Sequence, residues 1–198
     1  MNVTIIQYNA GNIQSVLYAL ERLGITATVT DDAAMIQASD KVIFPGVGEA
    51  STAMSYLKER NLDQLIVSLK QPVLGICLGM QLMCQHSAEN DTRCLGIFEE
   101  QVLAFKAKEA SFKIPQIGWN TNSNLKTDLF KGIAENSFTY FVHGYYAGMG
   151  SNTIATTNYI QEYSSALQKN NFYGVQFHPE KSAVVGEQII QNFLALKS

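Results

Sequence analysis

Cys77 stands between two glycines in the run Val73-Leu74-Gly75-Ile76-Cys77-Leu78-Gly79-Met80-Gln81. G-x-C-x-G after a short apolar stretch is the thiol counterpart of the G-x-S-x-G elbow, where a sharp strand-to-helix turn lifts a nucleophile out of a sheet. Small neighbours relieve the crowding of such a turn, and a helix N-terminus beyond it favours the thiolate. A thiolate nucleophile needs a base, and the base needs an orienting group. Phe177-His178-Pro179-Glu180 contains both types. In extended chain, residues two apart project to one side, so Glu180 can hold one ring nitrogen of His178 while the other faces a neighbour. A third segment, Pro45-Gly46-Val47-Gly48, can turn a backbone N–H inward cheaply because glycines flank Val47. With the N–H of Leu78, that of Val47 would form an oxyanion hole. Taken singly, these are a buried cysteine, a surface His-x-Glu pair and a plain turn. Taken together, Cys77, His178 and Glu180 point to acyl-transfer chemistry on an amide or ester.

Other chemistries are disfavoured. The chain holds neither a G-x-G-x-x-G run nor a G-x-x-x-x-G-K-[ST] run, so no phosphate-cradling loop is expected. Its three cysteines cannot all pair, and none is spaced as a C-x2-C zinc pair, which argues for reduced thiols, no metal and a cytoplasmic setting. Cys84 and Cys94 read as packing residues, His86 as solvated, and His143 as a strand-end residue that can line a cleft. Lys and Arg number 14 against 17 Asp and Glu, scattered along the chain, so the basic footprint that a nucleic acid demands is missing. The N-terminus lacks a basic leader, and no apolar run nears the roughly 20 residues of a membrane helix. A chain of 198 residues, 46% hydrophobic, suits one domain over residues 1–198.

The first half must position these groups by alternating strands and helices. Strands are expected at Val3–Tyr8, Ile25–Thr30, Lys41–Phe44 and Val73–Cys77. Apolar residues at helical spacing mark Ile13–Leu23 before Gly24, Ala33–Ala38, Ser51–Arg60, Leu62–Lys70 and Leu78 to about Gln85. That alternation implies an α/β fold with a mostly parallel central sheet flanked by helices, with ligands at the carboxyl ends of its strands. The second half reads as an antiparallel extension, with strands at Gln101–Phe105, Phe138–Val142, Thr153–Thr157, Ser164–Gln168 and Phe172–Phe177. A last helix is expected from about Ser182 to Leu196.

The elbow, together with Phe177-His178-Pro179-Glu180-Lys181, resembles the class I (triad) glutamine amidotransferases, whose flavodoxin-like fold matches this outline. Tyr8-Asn9-Ala10-Gly11-Asn12, Phe44-Pro45-Gly46-Val47-Gly48, Ile117-Gly118-Trp119-Asn120 and Tyr140-Phe141-Val142-His143 are similar to segments of the glutaminase subunits of imidazole glycerol phosphate synthases. The resemblance implies that Cys77 attacks the side-chain amide of glutamine with His178 and Glu180 as its partners, and that no cofactor is used. It also implies glutamine contacts from Gly48, Gln81, Glu89, Gly144 and Tyr145. Asn12, Trp119, Tyr140 and Lys181 match positions facing a (β/α)8 barrel cyclase, the other half of a heterodimer. The Gly46-Val47 peptide matches one that rearranges when that cyclase binds its nucleotide. Two positions depart from the pattern: Gly144 replaces a Ser or Thr, and Gln7 an acidic or small residue. The expected consequence is confined to glutamine affinity. Two other readings share these residues: an amidotransferase serving a different acceptor, and a cysteine peptidase or thiol stress protein with a similar elbow.

Overall fold

The computed structural model describes residues 1–9, 11–107 and 112–197. Ala10, within the Tyr8–Asn12 segment of the family resemblance, lies outside the described residues. In chain order the elements are β1 (Val3–Ile6), α1 (Ile13–Arg22), β2 (Ala27–Thr30), α2 (Ala33–Gln37), β3 (Lys41–Phe44), α3 (Ala50–Glu59) and α4 (Leu62–Ser68). There follow β4 (Val73–Ile76), α5 (Leu78–Met83), β5 (His86–Ser87), β6 (Thr92–Arg93), β7 (Gln101–Ala104) and β8 (Gln116–Asn122). The remainder comprises β9 (Ser137–His143), β10 (Tyr145–Ala147), β11 (Thr153–Tyr159), β12 (Gln161–Lys169), β13 (Phe172–Val175) and α6 (Ala183–Ala195).

Parallel pairing runs through β2-β1-β3-β4-β13, and the sheet continues through β12-β10-β7-β5-β6, with β11 on β12. The parallel half and the largely antiparallel extension therefore meet at β13, the strand that leads to His178. Because β13 lies beside β4, the strand that leads to Cys77, parallel pairing brings the two ends together.

Side-chain alternation gives the sheet two apolar faces. Ile5, Ile43, Leu74 and Ile76 point to one, where Val16 and Leu20 of α1 and Ile190 and Phe193 of α6 cover them. Ile6, Val42, Phe44 and Val73 point to the other, under α3, α4 and α5. Each such side chain, fully buried, contributes about 1.5–3 kcal/mol, which is what holds helices as short as these in place. Among the described residues no helix is long and apolar enough to cross a membrane.

The structure differs from expectation in several places. β5, β6, β8 and β10 are strands where none was expected, and β8 pairs with β9 in a separate two-stranded ribbon. Its apolar residues face outward while Gln116 and Asn122 are buried, the reverse of the usual pattern. β13 stops at Val175, and Pro179–Lys181 forms a single 3-10 turn rather than extended chain. Finally, α5 ends at Met83, so Cys84 is buried just past the helix.

Candidate active site

Cys77 lies at the end of β4 with φ 52° and ψ −108°, a conformation costing a non-glycine residue about 1–3 kcal/mol. Its neighbours explain how the turn survives. A Cβ on Gly75 would stand 2.8 Å from the Met80 nitrogen, and one on Gly79 would stand 1.9 Å from the Phe44 carbonyl oxygen. Both glycines are therefore required by backbone, and they lock α5 against β3 and β4. With only six residues, α5 has little dipole to offer the thiolate, so its charge partner must come from elsewhere.

That partner is His178. Its backbone N–H donates to the Tyr140 carbonyl at 2.8 Å, and its Nδ1 lies 2.8 Å from Glu180 Oε1. Because a carboxylate only accepts, Nδ1 carries the proton and Nε2 is left for the thiol. Glu180 reaches the ring through the Pro179–Lys181 turn, closed by the Lys181 N–H on the His178 carbonyl at 3.0 Å, and not by the two-residue stagger of a strand. Its side chain is fully buried, and Asn12 Nδ2 donates to the same Oε1. Burial alone would lower the His178 pKa, but the hydrogen bonds and charges of Cys77 and Glu180 outweigh it and raise it to about 10. At neutral pH the site therefore favours an imidazolium beside the sulfur.

The sulfur opens on a cavity of about 300 Å³. Val47, Gly48, Leu78, Gln81, Glu89, Gly144 and Tyr145 are among the residues that line it. Burial raises the Glu89 pKa, and the Ala50 N–H, donating to Oε2 at 2.8 Å, offsets only part of that rise. A Cβ on Gly144 would meet only Ile114 and Pro115 atoms, at 3.9 and 4.0 Å, so a larger residue has room there. His143 also lines the cavity. Burial lowers its pKa to about 4, leaving a neutral ring bonded to the Tyr145 carbonyl and the Tyr163 hydroxyl. A larger hollow of about 620 Å³ lies by Arg93 and Cys94, but burial pushes the Cys94 thiol up to about 11, so it holds no ready nucleophile. Among the described residues no cluster of His, Cys, Asp and Glu could hold a metal.

The expected oxyanion hole is closed in this conformation. The Leu78 N–H already donates to the Gly46 carbonyl at 3.2 Å. In a trans peptide, C=O and N–H point opposite ways, so the Val47 N–H is directed away from Leu78. Gly48, at φ 126°, and the partly exposed Val47 sit on the open side of this turn, where a Cβ on Gly48 would meet nothing within 4 Å. Behind it, the buried Tyr8 hydroxyl donates to the Pro45 carbonyl at 2.6 Å.

A family model described as "Glutamine amidotransferase class-I" matches residues 4–196. The chain belongs to the class-I glutamine amidotransferase family. Among curated relatives of this amidotransferase is the "Imidazole glycerol phosphate synthase subunit HisH" of Bacteroides fragilis, 57% identical over 99% of this chain and 100% of that one. The protein of that name from Shewanella loihica is 44% identical over 98% of this chain and 90% of its own. Solved structures share the amidotransferase fold at low identity. PurLQS from Thermotoga maritima matches with a TM-score of 0.72 at 16% identity, covering 98% of this chain and 97% of that one. A glutamine amidotransferase from Thermotoga maritima matches at 0.63 and 17%, over 98% and 82%.

The remaining expected residues of the amidotransferase lie apart from the cavity. Trp119 is half exposed on β8 and packs edge-on against Tyr140 of β9, with ring centroids 5.9 Å apart. Lys181 is exposed beside them, whereas the Asn12 amide is turned inward to Glu180. Two contacts went unread in the sequence: the Tyr8 hydroxyl on Pro45, and Gln176, whose amide faces the Cys77 sulfur. The signal for Gln176 was a polar residue inside the apolar run Phe172–Phe177.

Proposed function

We propose that this amidotransferase is the glutaminase subunit of an imidazole glycerol phosphate synthase, working in the cytoplasm beside a (β/α)8 barrel cyclase. The observation that carries the reading is the hydrogen-bonded chain Cys77–His178–Glu180 with its sulfur end at the cavity, in a chain matching HisH relatives over nearly its whole length. Cys77 attacks the side-chain carbonyl carbon of glutamine, and the tetrahedral oxyanion collapses to a γ-glutamyl thioester. His178 gives its proton to the departing ammonia, then takes one from the water that releases glutamate. Glu89, Gln81, Gly48 and the Gly144-Tyr145 backbone are the groups placed to hold glutamine.

The closed oxyanion hole supports a conditional enzyme. Rotating the Gly46-Val47 peptide frees the Leu78 N–H and turns the Val47 N–H to the same point, completing two donors. The ribbon of β8 and β9 is placed to report partner docking. Ile117, Trp119 and Phe138 on its outer face are more than half exposed, an apolar patch that suits a protein surface. Meanwhile the same ribbon's Tyr140 and Val142 carbonyls touch His178 and Cys77.

The test is glutamate release by the protein alone, with the barrel cyclase, and with the cyclase plus its nucleotide. Stimulation by partner and nucleotide is expected, together with loss of at least about 10⁴-fold in Cys77→Ala. Equal turnover with and without the cyclase, or an active Cys77→Ala, would sink the reading.

A further inference from the structure

Gln176 follows β13 and is fully buried, two residues before the base. Its side-chain Nε2 lies 3.7 Å from the Cys77 sulfur, within hydrogen-bond reach for that atom. The identity of the amide atoms is dictated by their partners. Gln81 faces the Tyr145 carbonyl at 3.0 Å, and a carbonyl only accepts, so the Gln81 atom there is its NH₂. That same NH₂ lies 2.9 Å from Gln176, so the Gln176 atom facing it is the oxygen. The Gln176 NH₂ is left pointing at the sulfur. The backbone holds the other end of the residue, where the Gln176 N–H donates to the Ser165 carbonyl at 2.8 Å.

We propose that Gln176 is a further catalytic residue, whose side-chain amide donates a hydrogen bond to the Cys77 sulfur, with Gln81 as the positioning residue that fixes its orientation. It rests on Cys77 being the nucleophile of the proposed glutaminase. A donor to a buried sulfur favours the charged form over the thiol, and an amide holds no proton that titrates near neutrality. The titratable groups around the sulfur are His178 with Glu180 after β13, His143 on β9, Tyr163 on β12 and Tyr8 after β1. Two of these serve other tasks: Tyr8 is committed to Pro45, and His143 stays neutral. The thiolate is thus held by one charged donor that cycles its proton and one neutral donor that does not. The network also ties the nucleophile to the cavity wall, because Tyr145 and Gln81 line the glutamine side.

The experiment is the pH profile of Cys77 alkylation by iodoacetamide in the full chain, read at the Cys77 peptide by mass spectrometry. Gln176→Leu removes the donor and is expected to raise the midpoint by about one unit, slowing alkylation about tenfold at a fixed pH below it. Gln176→Glu sets a carboxylate beside the sulfur and is expected to raise it further. A role in packing alone predicts a wild-type midpoint in Gln176→Leu, whatever the added charge does in Gln176→Glu, and that result overturns the proposal. Should neither variant fold, the side-chain amide resonance of Gln176 in the wild type is followed instead. It is expected to shift as Cys77 titrates, and a stationary signal overturns the assignment. The shift without any glutaminase activity would fault the functional reading alone, whereas glutaminase activity with unmoved midpoints would fault Gln176 alone.

Discussion

The turns that end β3 and β4 are neighbours in the sheet and carry the two amides expected to meet an oxyanion, yet they are built on opposite principles. At the end of β4, Gly75 and Gly79 are pressed against backbone atoms at 2.8 and 1.9 Å from their absent Cβ positions. At the end of β3, Gly46 is also confined, by the Tyr8 hydroxyl and by Leu78 and Gly79, but the turn opens beyond it, where Gly48 faces open space and Val47 is partly exposed. The proposed nucleophile is thus held in one strained conformation between two confined glycines, while the proposed oxyanion donor is confined on one side of its peptide only. The amidotransferase keeps its reactive thiol set and leaves its transition-state binding adjustable, which suits an enzyme whose ammonia is useful only when an acceptor is ready.

The largest expected effect comes from breaking the rigid turn. Gly79→Ala forces a methyl group into the Phe44 carbonyl, and backbone on both sides leaves little freedom to yield. Destabilisation of about 3 kcal/mol or more is expected, near the top of the range for single substitutions. Thermal unfolding should show it as a fall in Tm of about 10 °C. A variant as stable as wild type would mean the elbow is as compliant as its neighbour.

The adjustable turn should respond differently. Gly48→Ala meets no atoms, so its cost is the strain of a side chain at φ 126°, about 1–3 kcal/mol, and it falls on the closed orientation, which holds that angle. Cys77 alkylation should be unchanged. Glutamate release without a partner should rise, by about tenfold for each 1.4 kcal/mol of strain placed on the closed form. A matching change in alkylation would show that the two turns move together.

How much of this was legible beforehand follows the same division. The parallel half was readable because its strands are short apolar runs punctuated by Pro45, Gly24 and Pro72, and its glycines have steric reasons to be there. The ribbon was only half readable: β9 was expected, but in β8 the exposed Ile117 and Trp119 invert the rule by which alternation reveals a core. Cys77, His178 and Glu180 were legible from residue type and spacing, although the turn joining His178 to Glu180 was not. The carbonyl of Gly46 on Leu78 could not have been read at all, since peptide orientation between two glycines leaves no trace in side-chain chemistry.

The base tests whether the rigid side of the site is held by charge as well as by steric contact. The His178 pKa rises from 6.5 to about 10 in the folded protein, so the folded state binds the proton more tightly than the unfolded chain. Linkage then makes this contribution to stability fully present below about pH 6.5 and lost progressively as pH climbs towards 10. Other groups titrate in the same interval, so the measurement is a difference. Tm is followed from pH 6 to 10 for wild type and for His178→Asn, which keeps a planar polar group but cannot become a cation. Wild type should lose its advantage over the variant across that window. A gap that is flat with pH would mean that the imidazolium is not what steadies this end of the site. Cys77 would then be held by its glycines alone, and the contrast between the two turns would be purely one of backbone packing.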